Sequence, residues 1–66
     1  MKITVNDKQR SCPNQATLKW LLDDLGIKSS GVACEVNGTI VSSDRFEAHE
    51  LSDGDDVLVV TMVGGG

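Results

Sequence analysis

The stretch that decides the fold is DVLVVTMV, residues 56–63, near the carboxyl end of the 66-residue sequence. After its aspartate, every residue is apolar or β-branched. Successive side chains of a strand point to opposite faces, so this segment is apolar on both faces, which is typical of a strand at the centre of a sheet. One face carries Val57 and Val59, and the other carries Leu58, Val60 and Met62.

Two hairpins can flank this strand. MKITV, residues 1–5, alternates apolar and polar side chains, and the Asn-Asp pair that follows lets residues 8–12 return as the second arm. GVACEVNGTIVSS, residues 31–43, holds an Asn-Gly pair between apolar flanks. This pair is the strongest short-range signal for a two-residue hairpin turn, because both turn residues need a positive φ.

ATLKWLLDDLG, residues 16–26, changes to the period of a helix. Its leucines fall at i, i+3, i+4 and i+7 and form one apolar stripe. Thr17 is the expected N-cap, and Gly26 is the expected residue just beyond the helix. A helix of about two turns is not stable alone in water, so it must pack on the sheet.

Among the helix residues off this stripe are a tryptophan and two aspartates. Trp20 is expected to pack at the edge of the core, and contact with a partner is the alternative. Asp23 and Asp24 stand in the last turn, where they oppose the helix dipole. The sequence shows no evident compensation for these two charges.

SDRFEAHEL, residues 43–51, predicts a short helical turn. Asp44 and Glu47 are spaced as a capping box, and Phe46 is the expected apolar anchor.

The sequence leaves two alternatives for the second face of the central strand. It packs on this Phe46 loop, or it stays open as an interaction surface.

SDGDD, residues 52–56, predicts a turn. Its carboxylates lack the spacing and the distal glutamate of a calcium-binding loop, so solvated turn residues are the expected role. Steering of basic partners by Asp53, Asp55 and Asp56 is the alternative.

The order of elements is strand, strand, helix, strand, strand, short helical turn, strand. Two hairpins joined by a crossing helix, with the last strand inserted between them, make a β-grasp, also called the ubiquitin-like roll. We therefore predict an α+β fold, with a mixed sheet of about five strands packed on one main helix. The β-grasp domain is expected to span residues 1–63, and residues 64–66 to form a flexible glycine tail.

Composition and charge exclude several classes of function for this protein. A net charge of −4 argues against nucleic acid as a partner. No window approaches the roughly 20 apolar residues of a membrane span, and MKITVNDKQR does not resemble a signal peptide, so a cytoplasmic protein is expected. Cys12 and Cys34 are too few for a disulfide framework and form no zinc-binding pair, so buried, inert thiols are expected.

The sequence offers no catalytic residues, no metal site and no loop that would cradle phosphates. His49 is the one histidine and stands near no obvious nucleophile. A carrier or co-substrate fits this composition better than an enzyme.

Four segments resemble the ThiS family, the sulfur carrier proteins of thiamine biosynthesis. They are MKITVND, ATLKWLLDDLGI, VACEVNGTIVSSDRF and LSDGDDVLVVTMVGGG, and together they cover essentially the whole chain. The most specific pieces are EVNGTIV, DGDDV and the closing Gly-Gly, which directly follows the last predicted strand.

The resemblance implies a chemistry at Gly66. A ThiF-like adenylyltransferase would use ATP to adenylate the terminal carboxylate, and sulfur relayed from a cysteine desulfurase would convert it to a thiocarboxylate. A ThiG-like thiazole synthase would then accept the sulfur. The chain itself would bind no cofactor, and ATP would bind the activating partner.

The resemblance also gives roles to neighbouring residues. Gly64 and Gly65 would let the tail enter a narrow channel in the partner, because glycine has no Cβ and accepts backbone angles closed to other residues. The expected partner-binding residues are Leu58, Val60, Met62 and Val63.

Two other families share these features. The small subunit of molybdopterin synthase (MoaD-like) has the same roll and terminal chemistry, and a ubiquitin-like protein modifier would join Gly66 to lysines of other proteins. An electron-transfer β-grasp protein with an iron–sulfur cluster needs four cysteine ligands, and two cysteines exclude it.

Overall fold

A computed structural model describes residues 1–61 of the protein. The elements follow the predicted order, and the helix and both hairpins lie where their local signals place them. They are β1 Lys2–Val5, β2 Lys8–Ser11, α1 Leu18–Leu25, β3 Val32–Val36, β4 Thr39–Val41, a 3-10 turn Ser43–Arg45, and β5 Asp56–Thr61.

Strand β5 lies at the centre of a five-stranded sheet with the order β2-β1-β5-β3-β4. It runs parallel to β1 and antiparallel to β3, and each hairpin pairs antiparallel, so the sheet is mixed. Within residues 1–61 this sheet packs on one α-helix. The predicted α+β class and the β-grasp topology are confirmed.

The core lies between the helix and the inner face of the sheet. Leu18, Leu21 and Leu22 are fully buried, and Val57 of the central strand is fully buried opposite them. Phe46 is only 1% exposed and belongs to this core, as its role of apolar anchor predicts.

The two hairpin turns also bond to the central strand. Asn6 adopts a φ of 49°, and its side chain accepts from Val59 N (2.8 Å) and donates to Val59 O (3.2 Å). Asn37 adopts a φ of 52°, and its Oδ1 accepts from Asp56 N at 2.9 Å. Asparagine tolerates this left-handed backbone, so each residue forms its turn and extends the pairing of β5.

The helix begins and ends where the sequence predicts. Thr17 Oγ1 accepts from Trp20 N at 3.1 Å, which satisfies one of the amides left free at the helix start. Gly26 adopts a φ of 75° just beyond Leu25, a backbone that favours glycine. Trp20 is partly buried against the core, which confirms the edge-of-core interpretation.

The two aspartates of the last helical turn are compensated, and the expectation that they are not is wrong. Lys19 Nζ lies 2.7 Å from Asp23 Oδ1, one helical turn away. Arg10 of strand β2 pairs with Asp24. The second pair joins distant parts of the chain, which local reading of the helix could not detect.

The predicted capping box is also wrong. The turn at Ser43–Arg45 is a single 3-10 turn with Ser42 at its N-cap position, and no side chain caps it. Asp44 lies inside this turn and so cannot cap it. Phe46 directly follows the turn, where it is buried and its backbone N–H donates to Ser43 O at 3.3 Å.

Both cysteines are free and buried, as predicted. Cys34 on β3 has no exposed surface, and burial raises the pKa of its thiol. No helix within residues 1–61 is long and apolar enough to cross a membrane.

Replacing Thr17 by Ala is expected to lower the free energy of unfolding by about 1 kcal/mol, because Trp20 N loses its hydrogen-bond acceptor. Urea unfolding followed by circular dichroism measures the change. The matched control is Thr17→Ser, which keeps the hydroxyl and should stay near wild type. Equal losses in both variants would contradict the cap.

The thiols of Cys12 and Cys34 are expected to react with a thiol reagent at least about a hundredfold more slowly in the folded protein than in denaturant, because labelling requires exposure of the thiolate. Time-resolved labelling at neutral pH measures both rates. A fast phase in the native protein would show that a thiol is accessible.

Candidate functional site

The outer face of β5 is open to solvent. Leu58 is 43% exposed and Val60 is 47% exposed, whereas Val57 and Val59 on the inner face are buried. Of the two alternatives left by the sequence, the described residues favour the open surface. Phe46 lies in the core on the helix side, where its carbonyl accepts from Lys19 N at 3.0 Å.

The neighbouring strands extend this exposed apolar surface. Ala33 of β3 lies opposite Val60, and Glu35 lies opposite both Leu58 of β5 and Ile40 of β4. Ile40 is 73% exposed, the largest value among the exposed large apolar side chains of residues 1–61. We refer to these four apolar residues as the outer patch: Ala33, Ile40, Leu58 and Val60.

Sequence reasoning identified Leu58 and Val60 but missed Ile40. The Asn37-Gly38 turn fixes the register of its own hairpin, and that register places Ile40 opposite Glu35. The sequence could therefore have paired these two residues. It could not show that β3 lies beside β5, which joins Ile40 to the patch.

An exposed apolar surface of this kind is a binding surface more often than a chance feature. Cross-strand neighbours in a sheet lie about 5 Å apart at Cβ, so Ala33 and Val60 are direct neighbours, and Leu58 and Ile40 lie on either side of Glu35. The patch lies on an open sheet face, and its large side chains Ile40, Leu58 and Val60 are exposed. It suits another protein better than a small molecule.

The acidic turn before β5 is built into the fold. Asp53 Oδ1 accepts from Lys2 N at 2.8 Å. Asp55 Oδ2 accepts from Ser52 N at 2.8 Å, and Asp55 Oδ1 accepts from Asn37 Nδ2 at 2.9 Å. The expected role as turn residues therefore holds for these two carboxylates, while steering of a partner stays a prediction.

The remaining predicted site residues lie outside the described residues. They are Met62 and Val63 of the partner-binding set, and Gly64, Gly65 and Gly66 of the tail. The predicted domain boundary after residue 63 lies there too. Thr61 is the last described residue and belongs to β5, so the terminal segment follows the central strand of the sheet in sequence.

Titratable side chains do not assemble into a reaction centre within the described part of the chain. No group of three or more His, Cys, Asp or Glu side chains among residues 1–61 could hold a metal ion. The features with a clear binding capacity are the outer patch and the segment that follows it.

Comparison with known proteins agrees with this geometry. The sequence model of the ThiS family matches residues 3–66. The sulfur carrier protein ThiS of Escherichia coli K12 is 32% identical over 66 residues, which cover all of both chains. The crystal structure of the thiamine biosynthesis protein ThiS from Geobacter metallireducens superposes with a TM-score of 0.84 at 30% identity, and all of both chains is covered.

A second kind of relative is much longer. The thiazole synthase of Paramagnetospirillum magneticum is 35% identical over 66 residues, and this chain spans 20% of its length. The chain matches a protein of the same size over its full length, and it shares the fold of a solved relative. The family match also includes the terminal glycines. The chain belongs to the ThiS family.

Proposed function

We propose that this protein is a sulfur carrier for thiazole formation in thiamine biosynthesis. The observation that carries the proposal is the match, over the full length of both chains, to the sulfur carrier protein ThiS of Escherichia coli. The family match extends through Gly66, the residue to which the carrier chemistry is assigned. This combination favours the thiamine carriers over molybdopterin synthase subunits and protein modifiers.

The proposed reaction takes place at the carboxylate of Gly66. A carboxylate is a poor electrophile, because a nucleophile would have to add to an anion. In a ThiF-like adenylyltransferase, this carboxylate attacks the α-phosphate of ATP and pyrophosphate leaves, which creates a good leaving group. Sulfur relayed from a cysteine desulfurase as a persulfide then displaces AMP and forms an acyl disulfide. A thiol reduces this disulfide, is itself oxidised to a disulfide, and so releases the thiocarboxylate.

The chain acts in this scheme as a co-substrate and not as an enzyme. ATP binds the activating partner, and the carrier contributes its terminal carboxylate and a surface for docking. Gly64, Gly65 and Gly66 have no Cβ, so the segment fits a narrow channel and leaves the terminal carbonyl unhindered. We place the protein in the cytoplasm, together with its enzymes.

A thiazole synthase is the proposed acceptor of the sulfur. Two thiazole synthases, from Paramagnetospirillum magneticum and Magnetococcus marinus, contain a stretch that matches all 66 residues of this chain in a fifth of their own length. A carrier-like sequence joined to a synthase supports direct contact between the two functions. The present chain would make the same contact as a separate protein.

The outer patch is the proposed docking surface for these partners. Leu58 and Val60 point outward from the strand that leads to the reactive terminus. Met62 and Val63 follow them in the same segment and complete the proposed set. Docking beside the terminal segment would hold the tail close to the partner's reaction site, which lowers the entropic cost of ordering it.

The protein isolated from its own host is expected to contain a species heavier by one oxygen-to-sulfur exchange. Intact-mass spectrometry measures it, with a chain ending at Val63 as the control, because this chain lacks all three terminal glycines. If only the unmodified mass appears when sulfur donor and ATP are plentiful, the carrier function is contradicted. Adducts with other proteins would instead support a protein modifier.

Replacing Val60 by Asp is expected to weaken binding to the thiazole synthase by about tenfold or more, because a charge would enter an apolar contact. The thermal unfolding midpoint should change little, since Val60 is 47% exposed. Isothermal titration calorimetry measures the affinity. Ala48→Asp, an exposed site outside the outer patch, is the matched control and should bind like wild type.

A further inference from the structure

We infer that the partner surface covering the outer patch presents a basic side chain, arginine or lysine, that pairs with Glu35. The inference rests on the proposed function and adds the chemistry by which the partner is recognised. It assigns a specificity role to a residue that the sequence alone did not single out.

Glu35 has apolar side chains of the outer patch on three sides. It is the middle member of a row across three strands, with Leu58 of β5 on one side and Ile40 of β4 on the other. Ala33 lies two residues before it on the same face, opposite Val60. A partner that covers these four residues must also cover the carboxylate in their midst.

The described part of the fold supplies no cation for this carboxylate. The ion pairs within residues 1–61 are Arg10–Asp24 and Lys19–Asp23, and each involves an aspartate of helix α1. Strand alternation places Lys2 on the outer face. Lys2 belongs to β1, however, and β5 separates β1 from β3, the strand that carries Glu35. In residues 1–61 the Glu35 side chain also makes no hydrogen bond, so its carboxylate is available to a partner.

Covering the patch removes water from this carboxylate. A buried charge without a partner is costly, whereas a pair with a well-placed cation largely offsets the loss of water. Arginine suits this position best, because its planar group can donate two hydrogen bonds to a carboxylate and pack flat against apolar side chains. A partner with a purely apolar face would leave Glu35 unpaired and bind poorly, so this residue selects among partners.

The charge around the patch points in the same direction. Asp56 is exposed, precedes Leu58 by two residues on β5 and lies on the same outer face. The chain as a whole carries a net charge of −4. A second copy of the protein on this face would bring two acidic surfaces together, which disfavours self-association and favours a basic partner.

The test compares Glu35→Gln with wild type in binding to the thiazole synthase of the same host. Glutamine keeps the shape of the side chain and removes its charge. The matched control is Glu47→Gln, which makes the same change in net charge at an exposed site next to Phe46, on the helix side. Affinities are measured by calorimetry at several ionic strengths, and thermal unfolding verifies that each variant is folded.

We expect Glu35→Gln to weaken the complex by about tenfold or more and to flatten its dependence on salt, because a desolvated charge pair is lost. Glu47→Gln should stay within about twofold of wild type, as exposed charges contribute little. Glu35→Arg, which repels a basic partner, should weaken the complex further than Glu35→Gln.

Two results would overturn the inference. One leaves the proposed docking surface intact, and the other overturns that surface as well. If wild type binds the synthase and Glu35→Gln binds equally well, the carboxylate needs no cation and only this inference fails. If wild type does not bind the synthase, or if sedimentation shows a dimer that Val60→Asp dissociates, the proposed docking surface fails with it.

Discussion

The pairing of β5 between β1 and β3 is the interaction on which the rest of the structure depends. It joins two hairpins that are otherwise separate, through contacts such as Thr4 with Asp56 and Val36 with Val57. Contacts so distant in sequence carry a large loop-closure entropy, which a domain of 66 residues must offset with a small core. Asn6 and Asn37 add side-chain hydrogen bonds to β5 from both sides, at the ends of its pairing with each hairpin.

A central strand with two apolar faces gives this small protein two different surfaces. The inner face, with Val57 and Val59, completes the core beneath the helix. The outer face, with Leu58 and Val60, is left open because the described chain provides one α-helix and not two layers of cover. The residues that hold the fold together and those proposed to bind a partner therefore alternate along a single strand.

This arrangement suits a carrier. The reactive group of the proposed chemistry is the chain terminus itself, so the fold needs to present that terminus and be recognised, and it needs no active site of its own. The proposed recognition through an apolar patch with one carboxylate in it would give affinity through burial and selectivity through charge. The strand that carries half of the patch precedes the terminal segment in the chain, so the proposed docking surface and the proposed reactive terminus belong to one continuous stretch of backbone.

The sequence by itself determined the local features of this protein, because each depends on near neighbours. Thr17 and Gly26 set the limits of the helix, Asn37-Gly38 set one hairpin turn, and the alternation in residues 56–61 set the two faces of β5. Only the tertiary structure decided which face of β5 stays open and that β3 brings Glu35 and Ile40 beside Leu58. It also decided that Arg10 compensates Asp24. Finally, it decided that the chain before Phe46 forms a 3-10 turn without a capping box. These features follow from pairing and packing between distant segments, and no short window of sequence contains both partners of such a contact.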